Sequence, residues 1–246
     1  MRCLLISDIH ANIAALDCVL KDADGHYDVV WCLGDIVGYG PDPNECVERL
    51  RGLPLASLVG NHDWAVLGKL DPESFNADAR TALRYSATHL TPANRDFLET
   101  LVPYTFMPPF TLVHGSPRHP VWEYILDSTI ADANFELFPG PTCLVGHTHS
   151  AVLFRRSAQG APSVAELPRY GVPIPLPPPG GDRLIINPGS VGQPRDSDSR
   201  SAYALLDLDA STYEARRVEY PIEQTQERMR RAKLPHRLIA RLEYGW

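Results

Sequence analysis

An α/β fold whose strands form a mixed sandwich is predicted by three features of the chain. Short apolar runs each stop at a polar motif, segments of helical pattern lie between them, and the later part carries strand-like runs joined by a turn. With 246 residues, 44% of them hydrophobic, the chain is long enough to bury a sizeable core.

Taken in order, Cys3 to Ile6 reads as a buried strand that ends at Asp8-Ile9-His10, and Asn12 opens a helix that runs through the Ala- and Leu-rich segment to Leu20. Val29 to Leu33 is a second strand, ending at Gly34-Asp35. Leu55 to Val59 is a third, ending at Gly60-Asn61-His62-Asp63. Asp78 to Leu90 is helical in pattern, and Thr91-Pro92 supplies the cap and first turn of a helix through Leu101. Phe110 to Val113 ends at His114. After a short helix over Thr129 to Phe135, Cys143 to Val145 ends at Gly146-His147-Thr148-His149. Prolines break Leu167 to Pro179 before Gly180-Gly181, so this stretch is an extended surface excursion. Leu184 to Ile186, Tyr203 to Leu208 and Tyr213 to Val218 are later strands, the last two joined through Asp209 to Thr212 as a hairpin. These late strands favour a mixed sandwich over a repeated Rossmann unit. The basic segment from about Gln226 predicts an exposed helix with Arg228, Arg230, Arg231 and Lys233, broken at Pro235; a solvated charged face and a phosphate or partner contact both fit it.

A net charge of −7 argues against a strong nucleic-acid footprint and leaves small phosphorylated substrates open. The five cysteines are odd in number, lack a CxxC pair and lie mostly in apolar segments, as expected of buried thiols in a reduced, cytoplasmic protein. The apolar run ending before Asp8 is too short to span a membrane and lacks a small-residue cleavage pattern. The sequence leaves the oligomeric state open.

The polar motifs recur at strand ends, where open α/β sheets place ligands, so side chains far apart in sequence can converge. Asp8 and His10 offer a carboxylate and an imidazole to a divalent metal. Asp35 is suited to bridge two cations roughly 3.5–4 Å apart. Asn61 offers an amide oxygen, and His114, His147 and His149 offer ring nitrogens. The set suffices for two mixed oxygen and nitrogen shells. His62 is placed to donate a proton to a leaving oxygen or to stabilise developing phosphate charge. Asp63 either orients that ring or caps a helix. Arg118 and Arg195 are phosphate clamps or surface ion-pair partners. Asn12 caps the first helix or faces the phosphate, and Trp122 with Tyr124 forms an aromatic wall for a leaving group or packs in the core. No P-loop pattern is present.

Asp8-Ile9-His10, the Gly34-Asp35-Ile36-Val37-Gly38-Tyr39-Gly40 run, Gly60-Asn61-His62-Asp63, His114-Gly115 and Gly146-His147-Thr148-His149 resemble the calcineurin-like metallophosphoesterase family, over most of residues 1–195. Gly115-Ser116-Pro117-Arg118 and the run from Asn187 to Arg195 resemble its compact bacterial and archaeal phosphodiesterase-like branch. The chain reads as a single domain over 1–246, with a surface excursion at 158–182 and a helical tail at 221–246. The resemblance implies a four-layer α/β/β/α sandwich. It implies one metal on Asp8, His10, Asp35 and His149, a second on Asp35, Asn61, His114 and His147, and His62 as the catalytic or phosphate-contacting histidine. The expected cofactor is a pair of Mn²⁺ ions, with Fe²⁺, Zn²⁺, Ni²⁺ or Co²⁺ compatible with the same donors. The expected activity is hydrolysis of a small phosphodiester or nucleotide-like phosphoanhydride by a metal-activated hydroxide. The competing readings are an asymmetric dinucleoside polyphosphate hydrolase, a phosphoprotein phosphatase, and a metal-binding regulatory module without turnover.

Overall fold

In the computed structural model, which describes residues 1–246, β1 (Arg2–Ile6) is buried on both faces. Its side chains alternate: Leu4 and Ile6 enter a cluster beneath helices, while Cys3 and Leu5 enter one between two sheets. This double burial explains the continuous apolar run. β2 (Val29–Cys32) repeats the pattern, with Val30 and Cys32 toward the helices and Trp31 toward the second sheet. Trp31 packs edge-on against Phe110 across that interface, with ring centres 5.6 Å apart. Truncating it to alanine would cost about 3–5 kcal/mol.

The first sheet continues with β3 (Leu55–Ser57), β9 (Ile174–Pro175), β11 (Ser201–Asp207) and β12 (Thr212–Val218), in the order β3-β2-β1-β11-β12-β9. β1, β2 and β3 are parallel, with Leu4 opposite Val30 and Trp31 opposite Ala56; β11 runs antiparallel to β1, with Leu205 opposite Leu4. The second sheet holds β4 (Tyr104–Met107), β5 (Phe110–Val113), β6 (Thr142–Leu144), β7 (Val152–Arg156), β8 (Val164–Glu166) and β10 (Arg183–Asn187), in the order β4-β5-β6-β10-β7-β8. Its central strands β5, β6 and β10 are parallel. The carboxyl ends of the parallel strands lead directly into the polar motifs.

Helices cover the outer face of the first sheet. α1 (Ile13–Asp22) starts where the Asn12 side chain accepts from the Ala15 N–H, and buries Ile13, Leu16 and Val19 on one face. α2 (Pro43–Arg51), α4 (Ala77–His89) and α5 (Pro92–Glu99) follow, the last capped by Thr91 as its sequence predicts. α6 (Ser128–Asp132), with a 3-10 turn at Phe135–Leu137, covers the second sheet, where Ala131 and Phe135 meet Cys143, Phe154 and Ile185. The result is helices, sheet, sheet and helix in four layers.

Three features differ from the sequence expectation. The Gly60 motif opens α3 (Asn61–Val66), so His62 and Asp63 sit in a helical first turn. Residues 158–182 carry the short strands β8 and β9, so part of the excursion pairs with each sheet. The basic segment forms α7 (Ile222–Arg231) and α8 (His236–Tyr244), which lie on the core: Met229, Leu238, Ile239 and Leu242 are buried, and Arg228 pairs with the buried carboxylate of Asp42. The charge of this segment masked an apolar stripe at helical spacing.

Candidate metal centre

Asp8 and His10 follow β1, Asp35 follows β2, Asn61 opens α3 after β3, His114 follows β5, and His147 with His149 follows β6. All seven side chains are buried. They fall into two groups of converging donors, Asp8 with His10, Asp35 and His149, and Asp35 with His114 and His147, each group with its ligand atoms within 4.8 Å of one another. Asn61 joins the second group through Oδ1, 3.2 Å from His114 Nε2. Asp35 Oδ2 lies 3.5 Å from His10 Nε2 and 3.5 Å from His114 Nε2, which places one carboxylate oxygen between the groups. The two groups form a binuclear metal-binding site.

The residues present fit two cations. His149 Nδ1 meets the Gln193 carbonyl at 2.6 Å and His114 Nδ1 meets the Leu33 carbonyl at 2.8 Å, so each ring donates there and turns Nε2 inward. His147 is turned the other way: its Nε2 donates to the Trp122 carbonyl at 3.2 Å, leaving Nδ1 for ligation. His10 Nε2 and His149 Nε2 stand 3.0 Å apart beside Asp8 Oδ1. A cation satisfies such a cluster of bare donors better than any proton arrangement does.

The backbone is strained around this cluster. Asp8, His10, Asp35, His147 and His149 all have positive φ, between 48° and 68°. Residues with side chains adopt that region at a cost of order 1–3 kcal/mol each, and here the strain aims five of the seven donors. Gly38, at φ 139°, passes so close that a Cβ would stand 2.6 Å from His10 Nδ1 and 2.8 Å from His62 Nδ1. Gly60 is excluded from bearing a side chain for a similar reason, since a Cβ would collide with Asp35 Oδ1.

Burial pushes the imidazolium of His62 down to about 4, and that of His147 down to about 3 with help from the charge of His114; burial lowers His10 and His149 as well. His10, His147 and His149 are therefore neutral near pH 7, as ligation requires, and His62, neutral as well, keeps one ring N–H that can be donated as a hydrogen bond. Burial alone would raise Asp35, but His114, His62 and His10 hold its carboxyl well below the usual range. His114 moves the opposite way, its burial outweighed by the Asp35 carboxylate.

The remaining sequence candidates divide. His62 is buried with its ring edge-on to His10 at 4.7 Å, against Tyr39 at 4.4 Å and Phe75 at 5.1 Å, and its Nδ1 has no partner. Asp63 does not touch that ring: Oδ2 accepts from Gly60 N–H at 2.9 Å and Oδ1 from Val37 N–H at 3.0 Å, tying α3 to the Asp35 loop. Asn12 is committed to structure, capping α1 and donating to the Gly192 carbonyl at 3.0 Å. Arg118 forms a two-pronged pair with Glu123, which also accepts from Ser116 and Asn134. Tyr124 stacks on His147 with ring centres 4.0 Å apart and planes 5° apart, whereas Trp122 leans on Phe75 at 5.2 Å. Arg195 sits over the Tyr39 ring, 5.4 Å from its centre, and no carboxylate pairs with it. Its Nε is buried without a partner.

The run from Asn187 to Arg195 is visible in the sequence, but the bracing roles of its side chains are not. Ser190 Oγ donates to the Asp8 carbonyl at 2.7 Å, and Asn187 Nδ2 donates to the Gly146 carbonyl at 2.6 Å and to Thr148 Oγ1 at 2.9 Å. Together with Gln193 they make the run after β10 a brace for the β1 and β6 loops. The signal was its density of Asn, Ser and Gln beside the glycines, residue types that bond to backbone.

Residues 1–211 match the calcineurin-like phosphoesterase superfamily domain. A metallophosphoesterase of known structure from Sphaerobacter thermophilus is 45% identical, covering 100% of this chain and 99% of its own, with a TM-score of 0.87. An uncharacterised protein of Methanocaldococcus jannaschii is 36% identical over 249 residues, covering 98% of this chain and 97% of its own. A shorter likeness, 35% over 72 residues, covers 28% of this chain and 26% of a symmetrical bis(5'-nucleosyl)-tetraphosphatase from Proteus mirabilis.

Proposed function

Because the chain belongs to the calcineurin-like phosphoesterase superfamily, we propose that it hydrolyses small phosphodiesters or nucleotide-like phosphoanhydrides at its two-metal site. The observation that carries this reading is the position of Asp35 Oδ2 midway between His10 and His114. Asp8, His10, Asp35 and His149 would hold one ion, and Asp35, Asn61, His114 and His147 the other. Bound there, two divalent ions polarise the phosphorus centre and supply a hydroxide nucleophile near neutral pH.

The chain's own groups do the rest. Three of its four histidine donors, His114, His147 and His149, are fixed in tautomer by carbonyls, so they keep their orientation as substrate enters. His62 lies outside both donor groups, next to His10, and supplies an N–H to the leaving oxygen. Arg195 brings an unpaired positive charge against the phosphate. Tyr124, stacked on His147, forms a wall beside it. Asp63, Asn12 and Arg118 act by holding the loops, given the backbone and side-chain partners described above. The mixed Asp, Asn and His donors accommodate Mn²⁺, Fe²⁺, Zn²⁺ and related ions, and Mn²⁺ is the ion expected to support turnover. Five cysteines without a disulfide support a reduced, cytoplasmic setting. No helix is long and apolar enough to cross a membrane.

Purified protein reconstituted with Mn²⁺ is expected to hydrolyse bis(4-nitrophenyl) phosphate and to lose that activity in a chelator. Folded, metal-loaded protein that turns over no ester with any of the compatible ions would overturn the proposal. The likeness to a dinucleoside tetraphosphatase favours a narrower second reading. It requires release of nucleotide products from a dinucleoside polyphosphate, which chromatography of the products detects.

A further inference from the structure

Between the start of α4 and the face of α8 lies a cavity of about 570 Å³, lined by Asn76, Asp78, Arg237, Arg241, Tyr244 and Trp246 among others. That volume is in the range of small-molecule sites. Two short connections run from its lining to residues of the metal centre. Asn76 follows Phe75, whose ring stands 5.1 Å from that of His62. Arg241 Nη1 donates to Gln193 Oε1 at 3.2 Å, and the Gln193 carbonyl holds the ligand ring of His149.

Two features, one in this cavity and one beside it at Arg241, are unexplained by packing. First, Tyr244 and Trp246 are stacked on each other, ring centres 4.8 Å apart, yet remain 50% and 62% exposed. They do not dangle: Gly245 closes α8 in the left-handed conformation at φ 67°, and its carbonyl accepts from Ser197 N–H at 2.9 Å. Second, Arg195 Nη2 and Arg241 Nη1 share the one neutral oxygen of Gln193, at 2.9 and 3.2 Å, with no carboxylate on either. Two half-buried guanidiniums around one amide oxygen repel each other, and an anion between them relieves both the repulsion and their desolvation. Asp78, loosely paired with Arg237 at 3.9 Å, leaves a carboxylate that can accept from ribose hydroxyls or an exocyclic amine.

From this juxtaposition, and resting on the phosphoesterase reading, we infer that the cavity is a nucleotide subsite, with a base stacked on Tyr244 and Trp246 and its phosphate on Arg241, at the edge where Arg241 meets Gln193 and Arg195. A nucleoside phosphate held there would present its next phosphorus toward the metals. The preferred substrates are then nucleotide esters or anhydrides over simple alkyl diesters.

The test uses the full chain kept metal-free in a chelator, so that binding is read without turnover. Titration with AMP, ribose 5-phosphate and inorganic phosphate is followed by calorimetry and by tryptophan fluorescence. AMP is expected to bind at least about tenfold tighter than ribose 5-phosphate and to quench fluorescence, since stacking on an aromatic platform strengthens binding by factors on the order of ten. Trp246→Leu should lose most of that advantage while Trp246→Phe keeps it, and Arg241→Gln should weaken both AMP and ribose 5-phosphate. Equal affinities for AMP and ribose 5-phosphate, or an AMP advantage intact in both Trp246→Leu and Tyr244→Leu, overturn the subsite. The two readings fail separately. Hydrolysis of bis(4-nitrophenyl) phosphate without Trp246-dependent AMP binding removes the subsite alone, whereas Trp246-dependent binding in a protein without hydrolysis removes the phosphoesterase reading and keeps the subsite.

Discussion

Asp35 accepts the backbone N–H of His62 at 2.9 Å through Oδ1, while its Oδ2 faces the ligand nitrogens of both donor groups. One carboxylate therefore links metal assembly to the placement of the candidate catalytic histidine. Asp35→Ala is expected to lose both ions and to reduce hydrolysis to background, with the fold retained by circular dichroism. A variant that keeps one full equivalent of metal would show that Asp35 serves a single ion.

His62 belongs to neither donor group and its Nδ1 bonds to nothing. His62→Ala should keep its metal content and lose roughly 10²–10⁴ in kcat. Proton donation further requires that the defect grow as the leaving group worsens, compared across a series of aryl esters. A uniform defect across the series would assign His62 to charge stabilisation instead.

Gly38 separates the unpartnered Nδ1 atoms of His10 and His62. Gly38→Ala places a methyl where both rings stand, at a backbone angle unfavourable to any side chain. Overpacking of this kind costs about 1–3 kcal/mol, which for a chain of this size lowers Tm by several degrees. Activity should fall at least about tenfold, because both rings must move. Wild-type kcat in Gly38→Ala would show that the rings do not need their present positions.

Glu123 gives a pH signature. Burial raises its carboxyl, but hydrogen bonds from Arg118, Asn134 and Ser116 overcome this and hold it at about 2. A carboxyl depressed in the folded state contributes stability that is present above its unfolded value, near 4.5, and is lost as pH falls through the folded value. Glu123→Gln should therefore be less stable by about 1–3 kcal/mol at pH 7, with the gap from wild type closing between pH 4.5 and 2. Denaturant melts across that interval check it; a constant gap would mean that packing, and not charge, is what the substitution removes. Because the Glu123 network anchors the loop whose Trp122 carbonyl orients His147, the variant should also bind metal more weakly at neutral pH.

Much of the fold was legible because the parallel strands are buried on both faces. Cys3 to Ile6 is an uninterrupted apolar run and Phe110 to Val113 is broken only by the buried Thr111, and the polar residue that ends each run marks a strand terminus. The cluster of potential donors was legible for the same reason. What escaped was determined by contacts distant in sequence. α3 starts inside a motif whose Asn, His and Asp are weak helix formers, and it is held there by the backbone bonds of Asp63. Arg118 and Arg195 look alike in the sequence, yet only the first finds a carboxylate, because Glu123 lies five residues away and nothing acidic packs on the second. The C-terminal platform was hidden by the basic residues around it, since Tyr244 and Trp246 gain meaning only when Arg241 reaches Gln193.

The central claim, that two ions bridged by Asp35 act together, is tested most directly by titrating metal-free protein with Mn²⁺ while following hydrolysis of bis(4-nitrophenyl) phosphate. Activity should lag through the first equivalent and saturate as the second binds, with two ions per chain found by metal analysis. Full activity at one equivalent, or a folded chain that never retains a second ion, would contradict it.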